Sequence, residues 1–148
     1  MKVRDVMTSD PVSCSPSDIA QNVARTLRDN DIGSVPVLGD DGKLIGIITD
    51  RDLCCSILAN GLDPNTTIAD YITLNPITCR ADDDVDDCER AMQQHQIRRI
   101  PVVDDQKRCL GVVSQADLAL HDEAKKVSKT VAEISKPTHH EPSARKTA

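Results

Sequence analysis

The sequence overlays itself when it is shifted by 65 residues, the distance from Pro11 to Pro76. A fixed period indicates one supersecondary unit that is used twice. Two copies are too few for a solenoid, so we expect two similar units packed on each other about a pseudo-two-fold axis. The matched positions include Asp5 and Asp70, Pro11 and Pro76, Cys14 and Cys79, Ile32 and Ile97, Gly46 and Gly111, and Asp52 and Asp117.

The first copy predicts the element order β-α-β-β-α. A short strand is expected around Pro11-Val12, and a helix is expected from Ser17 to Asn30 with Ser17 or Asp18 as its N-cap. Strand, turn and strand follow at 35–38, 39–42 and 44–48, because Gly and Asp separate two apolar runs. The last helix of the copy is predicted to open at Asp50 or Asp52.

The second copy predicts the same elements, and the fold class is therefore α/β (α+β) with tandem β-α-β-β-α repeats and three-stranded sheets. Its strands are expected around Pro76-Ile77, at 100–103 and at 109–113. Its first helix carries Val85, Cys88 and Met92 at helical spacing, and its second helix is predicted to open at Ala116 or Asp117 and to run toward Ile134. The expected organisation is a repeat at 1–60, a breaker-rich linker at 61–67, a repeat at 68–122, and a helix end with a disordered tail at 123–148.

Composition excludes several classes of protein. The net charge of −6 disfavours binding to a phosphate backbone, and one Tyr with no Phe or Trp provides no stacking platform, so we expect no nucleic-acid partner. No apolar run reaches the ~18 residues of a membrane span, and the first residues lack the apolar region of a secretion signal. We expect a cytoplasmic protein without membrane contact, whose six Cys are reduced thiols.

No catalytic motif or metal-ligand spacing is present, so neither an enzyme nor a metal site is expected. The acidic run at 82–84, with Asp86 and Asp87, is interpreted as a solvated helix start, where negative charge favours the helix dipole. Vicinal Cys54 and Cys55 lie on a predicted helix, so at least one of them is expected to pack in the core. His139 and His140 are expected to be solvated in the tail.

Two strings recur in both copies, and the first copy carries a third. In the first copy they are Met7-Thr8-x-x-Pro11-Val12, Ile32-x-x-Val35-Pro36-Val37 and Gly46-Ile47-Ile48-Thr49-Asp50-Arg51-Asp52-Leu53; the second copy offers Ile97-Arg98-Arg99-Ile100-Pro101-Val102-Val103-Asp104 and Gly111-Val112-Val113-Ser114-Gln115-Ala116-Asp117-Leu118. On these strings, over about residues 1–122, the chain resembles a CBS-domain pair, or Bateman module, and in particular stand-alone bacterial pairs of the hypoxic response protein type. The resemblance implies a non-catalytic homodimer in stress regulation. It also implies an adenosine nucleotide (AMP, ADP or ATP) as ligand rather than a cofactor, and an unidentified partner protein.

The Thr/Ser-x-x-Asp string also has a chemical interpretation of its own. A strand that ends at Thr49 and passes into a helix brings a hydroxyl and backbone N–H groups together, which suits phosphate oxygens. Asp52, one turn later, can accept both hydroxyls of a ribose, and Gly46 permits close backbone approach. The competing interpretation is helix capping, for which Thr, Ser and Asp are common residues.

In the family, each ligand lies in the cleft between the repeats and uses the Thr/Ser-x-x-Asp of one repeat with the Pro-Val strand of the other. Two guanidiniums at Arg98-Arg99 replace Gly33-Ser34, which favours a phosphate-bearing ligand at the first site and a neutral ligand, or none, at the second. Alternatively, the arginines neutralise nearby carboxylates, the cleft is vestigial in a dimeric adaptor, or the cysteines serve a thiol or zinc stress response. Carried over, the first site contains Thr49, Asp52, Thr73, Arg98, Arg99, Ile100 and Pro101, and the second contains Ser114, Asp117, Thr8, Ser34, Val35 and Pro36.

Overall fold

The computed structural model describes residues 1–121 and 124–136. These residues form two compact units: the first unit is Val12–Pro76, and the second unit joins Met1–Pro11 to the described residues from Ile77 onward. The N-terminal eleven residues therefore belong to the unit that carries the second repeat. The predicted tail from Pro137, with His139 and His140, lies outside the described residues, and the division at 1–60, 61–67 and 68–122 stays a prediction.

Short helices and strands alternate along the chain. In chain order they are α1 (Val3–Val6), β1 (Thr8–Ser9), α2 (Ala20–Asp29), β2 (Ser34–Leu38), β3 (Leu44–Thr49), α3 (Asp50–Asp52), a π-helical segment (Leu53–Leu58), a 3-10 turn (Ile68–Asp70), β4 (Thr73–Leu74), β5 (Cys79–Arg80), α4 (Val85–His95), β6 (Arg99–Val103), β7 (Cys109–Ser114), α5 (Gln115–His121) and α6 (Ala124–Ile134). The predicted helix from Ala116 toward Ile134 is described as α5 and α6, and residues 122 and 123 lie outside the described residues.

The sheet of the first unit has the order β2-β3-β4, and both pairs are antiparallel. Cys14 adds a parallel bridge to Val37: its N–H donates to Pro36 O, and its carbonyl accepts from Leu38 N. The strand expected around Pro11-Val12 is therefore wrong by about two residues. Val12 is exposed, whereas the buried Cys14 is the residue that meets β2.

The sheet of the second unit has four strands in the order β1-β7-β6-β5, in which β5 runs parallel to β6. The strand expected around Pro76-Ile77 is likewise at Cys79, which pairs with Val102. The expectation of three strands per sheet fails here, because β1 from the N-terminal segment pairs with β7. In the first unit, β4 takes the matching place beside β3.

Helix α2 packs its apolar stripe into the core of the first unit, where Val23 and Leu27 are buried with β2 and β3. The N-cap predicted at Ser17 or Asp18 is wrong: the N-cap is Ile19, since the Asp18 carboxylate accepts from Ser15 N and its carbonyl accepts from Ile68 N.

In the second unit, α4 buries Val85, Cys88 and Met92 as predicted, against β6 and β7. Helix α6 contacts α4, and a hydrogen bond from Gln93 Nε2 to Thr130 Oγ1 (2.9 Å) joins the two helices. None of the helices in the described ranges is both long and apolar enough to cross a membrane.

Candidate functional site

The same capping box closes the hairpin of each unit. In the first unit, Thr49 N donates to Asp52 Oδ2 (3.0 Å), and Asp52 N donates to Thr49 Oγ1 (3.1 Å). In the second unit, Ser114 N donates to Asp117 Oδ2 (2.8 Å), and Asp117 N donates to Ser114 Oγ (3.1 Å). The Thr/Ser-x-x-Asp string is therefore a reciprocal helix cap, which was the competing interpretation of the sequence.

Capping does not exhaust the chemistry of these groups. A carboxylate has about four lone-pair positions, and a hydroxyl that accepts one hydrogen bond can still donate another. The box also fixes both side chains, so that hydroxyl and carboxylate remain one helical turn apart. It presents an acid and an alcohol in a preformed arrangement.

Strand register decides which side chains share a face with the box of the first unit. Ser34 lies opposite Thr49, and Ile47 lies between Pro36 and Thr73 in the neighbouring strands. Directly opposite residues of antiparallel strands project to the same face, and so do residues two apart in one strand. One face therefore carries Ser34, Thr49 and Thr73, which together with Asp52 we name the first half-site.

The second unit repeats this arrangement with one change of charge. Arg99 lies opposite Ser114, and Val112 lies between Pro101 and Thr8. Thr8, Arg99 and Ser114 therefore share a face, and together with Asp117 we name them the second half-site. Arg99 occupies the place of Ser34 and is the direct cross-strand neighbour of Ser114 in its own unit.

Two of the predicted ligand residues lie on the other face. Val35 and Ile100 are fully buried in the hydrophobic cores of their units, because they alternate with the residues that face the half-sites. The predicted use of Ile100 as a side-chain slot for a base is not supported by this position. Pro36 and Pro101 are the neighbours that share the half-site faces.

The backbone carbonyl of Arg98 takes part in a hydrogen bond at the start of α5, in addition to the charge that its side chain carries. Its carbonyl accepts from Gln115 N at the start of α5 (2.9 Å), as Gly33 O accepts from Asp50 N (3.0 Å) in the first unit. The Arg98 side chain is exposed, and that of Arg99 is half-buried. Each predicted site draws on both units, so the joining of the two half-sites stays a prediction.

Two glycines allow the outer strands to approach. A Cβ on Gly46 would lie 2.3 Å from Thr73 O, and a Cβ on Gly111 would lie 2.7 Å from Thr8 O. The close backbone approach expected at Gly46 is therefore made by β4. Because these glycines have no side chain, the backbones of Thr73 and Thr8 can lie directly against the hairpins.

The other features singled out in the sequence are not members of either half-site. Cys54 and Cys55 are both exposed, so the expected core packing of one of them is wrong. The π-helical segment instead turns Ser56 and Ile57 inward. The acidic run before α4 forms ion pairs, including one from Lys2 Nζ to Asp84 Oδ1 (2.8 Å). In the described ranges, no three His, Cys, Asp or Glu side chains are grouped as metal ligands.

Comparison with known proteins adds the family. The CBS domain family matches residues 3–58 and 68–123. The chain belongs to the CBS-domain family. Its half-sites are thus the two hairpin ends of a CBS pair, in a mixed α/β fold with two sheets.

Among relatives, Hypoxic response protein 1 of Mycobacterium tuberculosis is 36% identical over 119 residues, which cover 80% of this chain and 82% of that protein. A crystal structure of Hypoxic Response Protein I with two coordinated zinc ions has a TM-score of 0.75 at 34% identity, and covers 83% of this chain and 100% of that chain.

The CBS domain pair of protein MJ0100, in complex with 5-methylthioadenosine and S-adenosyl-L-methionine, has a TM-score of 0.75 at 31% identity over 81% of this chain and 94% of that chain. The CBS domain protein PAE2072 from Pyrobaculum aerophilum, complexed with AMP, has a TM-score of 0.77 over 89% of this chain and 99% of that chain. At 23% identity, this last likeness concerns the fold.

Proposed function

We propose that this CBS-domain pair is a non-catalytic sensor that binds an adenosine nucleotide, with the phosphates held at the second half-site. The observation that carries the proposal is the arrangement of hydroxyl, carboxylate and guanidinium around one hairpin end: Ser114, Asp117 and Arg99. Few ligands need all three groups. A ribose with an attached phosphate does.

Each group has a distinct role. Asp117 accepts hydrogen bonds from the ribose hydroxyls, as an acidic residue does in dinucleotide folds. The Ser114 hydroxyl donates to a phosphate oxygen, and the Arg99 guanidinium adds charge and paired hydrogen bonds. The first half-site has Ser34 in place of Arg99, so it favours a neutral adenosine derivative or remains empty.

The ligand class is supported by a relative. The structure of the MJ0100 pair, which is 31% identical to this chain, contains 5-methylthioadenosine and S-adenosyl-L-methionine, and both carry an adenosine group. Neither carries a phosphate. In this chain, the Arg99 guanidinium is the feature that we expect to favour a nucleotide over an uncharged nucleoside.

A further part of the proposal concerns which carboxylate, Asp52 or Asp117, binds the same ligand as the arginines. The sequence expectation pairs Arg98 and Arg99 with Asp52, whereas the strand register makes Arg99 the neighbour of Ser114. We propose Asp117 as the carboxylate that shares the ligand with Arg99. Comparison of Asp52→Ala with Asp117→Ala decides between these assignments.

The assay is titration calorimetry with adenosine, AMP, ADP, ATP and S-adenosylmethionine. We expect Asp117→Ala to weaken nucleotide binding by about 1.5–3 kcal/mol, the range for hydrogen bonds to a charged group. Arg99→Ala should weaken ADP and ATP more than adenosine. Arg108→Ala is the matched control, because it removes an exposed arginine in the β6–β7 turn. If the parent protein binds adenosine and ATP with equal affinity, the assignment of Arg99 to the phosphates is wrong.

Helix capping has to be separated from ligand contact, because Ala also removes the acceptor of the hydrogen bond from Ser114 N, which is one half of the capping box. Loss of a cap costs about 1 kcal/mol of stability, and Asn still accepts the backbone hydrogen bond. Asp117→Asn should therefore keep the unfolding free energy near that of the parent while it weakens nucleotide binding. If Asp117→Asn binds as the parent does, the carboxylate is a cap alone, and the proposal for this residue fails.

We also propose that the sensor is a homodimer, which passes its output to a partner protein. The side chains of Leu58 and Leu120 are 73% and 80% exposed, and a second copy would cover such apolar groups. Light scattering at micromolar concentration tests this proposal with and without nucleotide. A mass equal to one chain under both conditions contradicts it.

A zinc-dependent role is the second candidate, and the similarity to the zinc-containing Hypoxic Response Protein I structure favours it. A ligand that binds the native state raises the melting temperature. A thermal-shift assay with the same nucleotides should therefore also include zinc and a chelator. A shift with zinc and none with any nucleotide would replace the nucleotide sensor by a zinc-binding protein.

A further inference from the structure

Two cysteine side chains meet inside the second unit. Cys79 on β5 and Cys88 on α4 have their sulfur atoms 3.9 Å apart, and the Cys79 thiol donates toward Cys88. Both are buried, at 7% and 1% exposure. Their relation to each other is independent of the half-sites and of the proposed nucleotide.

We propose that Cys79 and Cys88 are an oxidation site that a peroxide converts into an intramolecular disulfide. The Cys88 thiolate attacks the peroxide, the O–O bond breaks, and Cys88 becomes a sulfenic acid while hydroxide leaves. The Cys79 sulfur then attacks the sulfenic sulfur, the S–S bond forms and the S–O bond breaks, and the Cys79 proton leaves with the hydroxide as water. Two thiols and one hydrogen peroxide thus give one disulfide and two waters.

The roles within the pair follow from the hydrogen bond. Because the Cys79 thiol donates to Cys88, it lowers the pKa of Cys88 and raises the pKa of Cys79. Cys88 is therefore the attacking thiolate, and Cys79 is the resolving thiol. An isolated buried thiol has no such neighbour.

Access to the pair is provided by the edge of the sheet. β5 has two residues, and within the described residues it pairs only with β6, since it ends the strand order β1-β7-β6-β5. Short edge strands open locally at lower free energy than a core strand does. Cys79 and Cys88 are nine residues apart in the sequence, so only a short loop has to close for the two sulfurs to meet again after such an opening.

The first unit provides an internal control for this chemistry. Cys14 is the repeat mate of Cys79 and is buried in the matching place: its Sγ lies 3.7 Å from Pro36 O, as Cys79 Sγ lies 4.0 Å from Pro101 O. The residue that corresponds to Cys88 is Val23, which is also buried. The two units therefore present the same buried cysteine with and without a partner thiol.

The test uses the full chain with Cys54→Ser and Cys55→Ser, which removes the exposed thiols. The folded protein is cleared of metal with a chelator, treated with hydrogen peroxide, then denatured, alkylated and digested with trypsin without reductant. Cleavage after Arg80 and Arg90 separates the two cysteines. We expect a linked peptide pair that lacks two hydrogen atoms and separates in dithiothreitol, while Cys14 is recovered alkylated.

Two variants make the outcome decisive. Cys88→Val copies the residue of the first unit, and in this variant we expect Cys79 to stay alkylated as Cys14 does. Val23→Cys gives Cys14 a partner, and we expect a second disulfide at 14 and 23. The proposal is overturned if Cys79 and Cys88 are recovered alkylated from the folded parent, if Cys88 reaches the sulfinic acid without a link, or if Cys79 is oxidised equally in Cys88→Val.

Discussion

Gly46→Ala is the substitution for which the structure gives the sharpest expectation. Gly46 lies in β3 opposite Leu74, and a Cβ at this position would lie 2.3 Å from Thr73 O and 3.2 Å from Thr73 C. Both are backbone atoms, so no change of side-chain rotamer relieves the contact. The residues of β4 have to move away from the hairpin.

The size of the effect follows from that displacement. Cβ atoms essentially never come closer than 3.0 Å to another heavy atom, so β4 must shift by at least about 0.7 Å, in the range of overpacking that costs about 1–3 kcal/mol. β4 consists of two paired residues, and each backbone hydrogen bond that it loses costs about 0.5–1.5 kcal/mol. We expect the free energy of unfolding to fall by about 2–3 kcal/mol.

Urea denaturation followed by circular dichroism measures this loss, and two other glycines calibrate it. Gly111→Ala makes the matching contact in the second unit at 2.7 Å from Thr8 O, and a second one at 2.8 Å from Met7 Sδ. The backbone overlap is smaller than at Gly46 and the flexible Met7 side chain can move aside, so a smaller loss is expected. Gly39→Ala contacts only the side-chain ends of Asp41 and Ile45, at 3.2 and 3.3 Å, and should change stability little. If Gly46→Ala is as stable as Gly39→Ala, the argument from close approach is refuted.

Three further outcomes are expected. The hydrogen bond from Lys2 lowers the pKa of Asp84. The stabilisation that this hydrogen bond gives the folded state is therefore present above the usual Asp pKa and is lost as pH falls through the lowered pKa. In acid denaturation curves, the stability difference between Asp84→Asn and the parent should vanish. Burial raises the pKa of Cys14 to about 12, so iodoacetamide should leave this thiol unmodified in the folded protein at pH 8.5, as peptide mapping would show. Ser56 Oγ is fully buried and has no hydrogen-bond partner within the part of the chain that the structure describes, so Ser56→Ala should leave the urea midpoint unchanged or raise it; a clear fall would contradict this reasoning.

The hairpins and the stripe of α4 were predictable from the sequence because local signals agree there. Two apolar runs flank turn residues in each copy, and each of the strands β2, β3, β6 and β7 extends the predicted strand by one residue at one end. In α4, the apolar residues follow helical spacing and are buried. Local pattern and tertiary packing lead to the same structure at these positions.

The short strands were not predictable, since their pairing is long-range. β1 and β4 have two residues each, and all four are exposed, so neither carries an alternating pattern. Cys54 and Cys55 were misjudged for a different reason. The π-helical hydrogen bonding of 53–58 changes the angular spacing, and a face assigned at 3.6 residues per turn is then displaced.

For the candidate site, the sequence indicated which residue types are present but not which face of the sheet each side chain occupies. Val35 and Ile100 follow residues that face the half-sites, and the period of two in a strand turns their side chains into the cores. Strict alternation from Thr49 and Ser114 through the paired strands would have excluded both. The capping boxes were foreseen as an alternative, and only hydrogen-bond geometry could establish them.

The two copies of the hairpin share some features and differ in others. The cap, the glycine and the outer strand are the same in both units, because each is required by backbone geometry: the cap satisfies N–H groups at a helix start, and the glycine admits a strand. The position opposite the cap residue has no such constraint, and it is Ser34 in one unit and Arg99 in the other. Under the proposed function, the charge offered to a ligand therefore depends on this position. The first half-site contains the Asp52 carboxylate and no arginine, whereas the second contains Arg99 together with the Asp117 carboxylate, and the fold around them is the same.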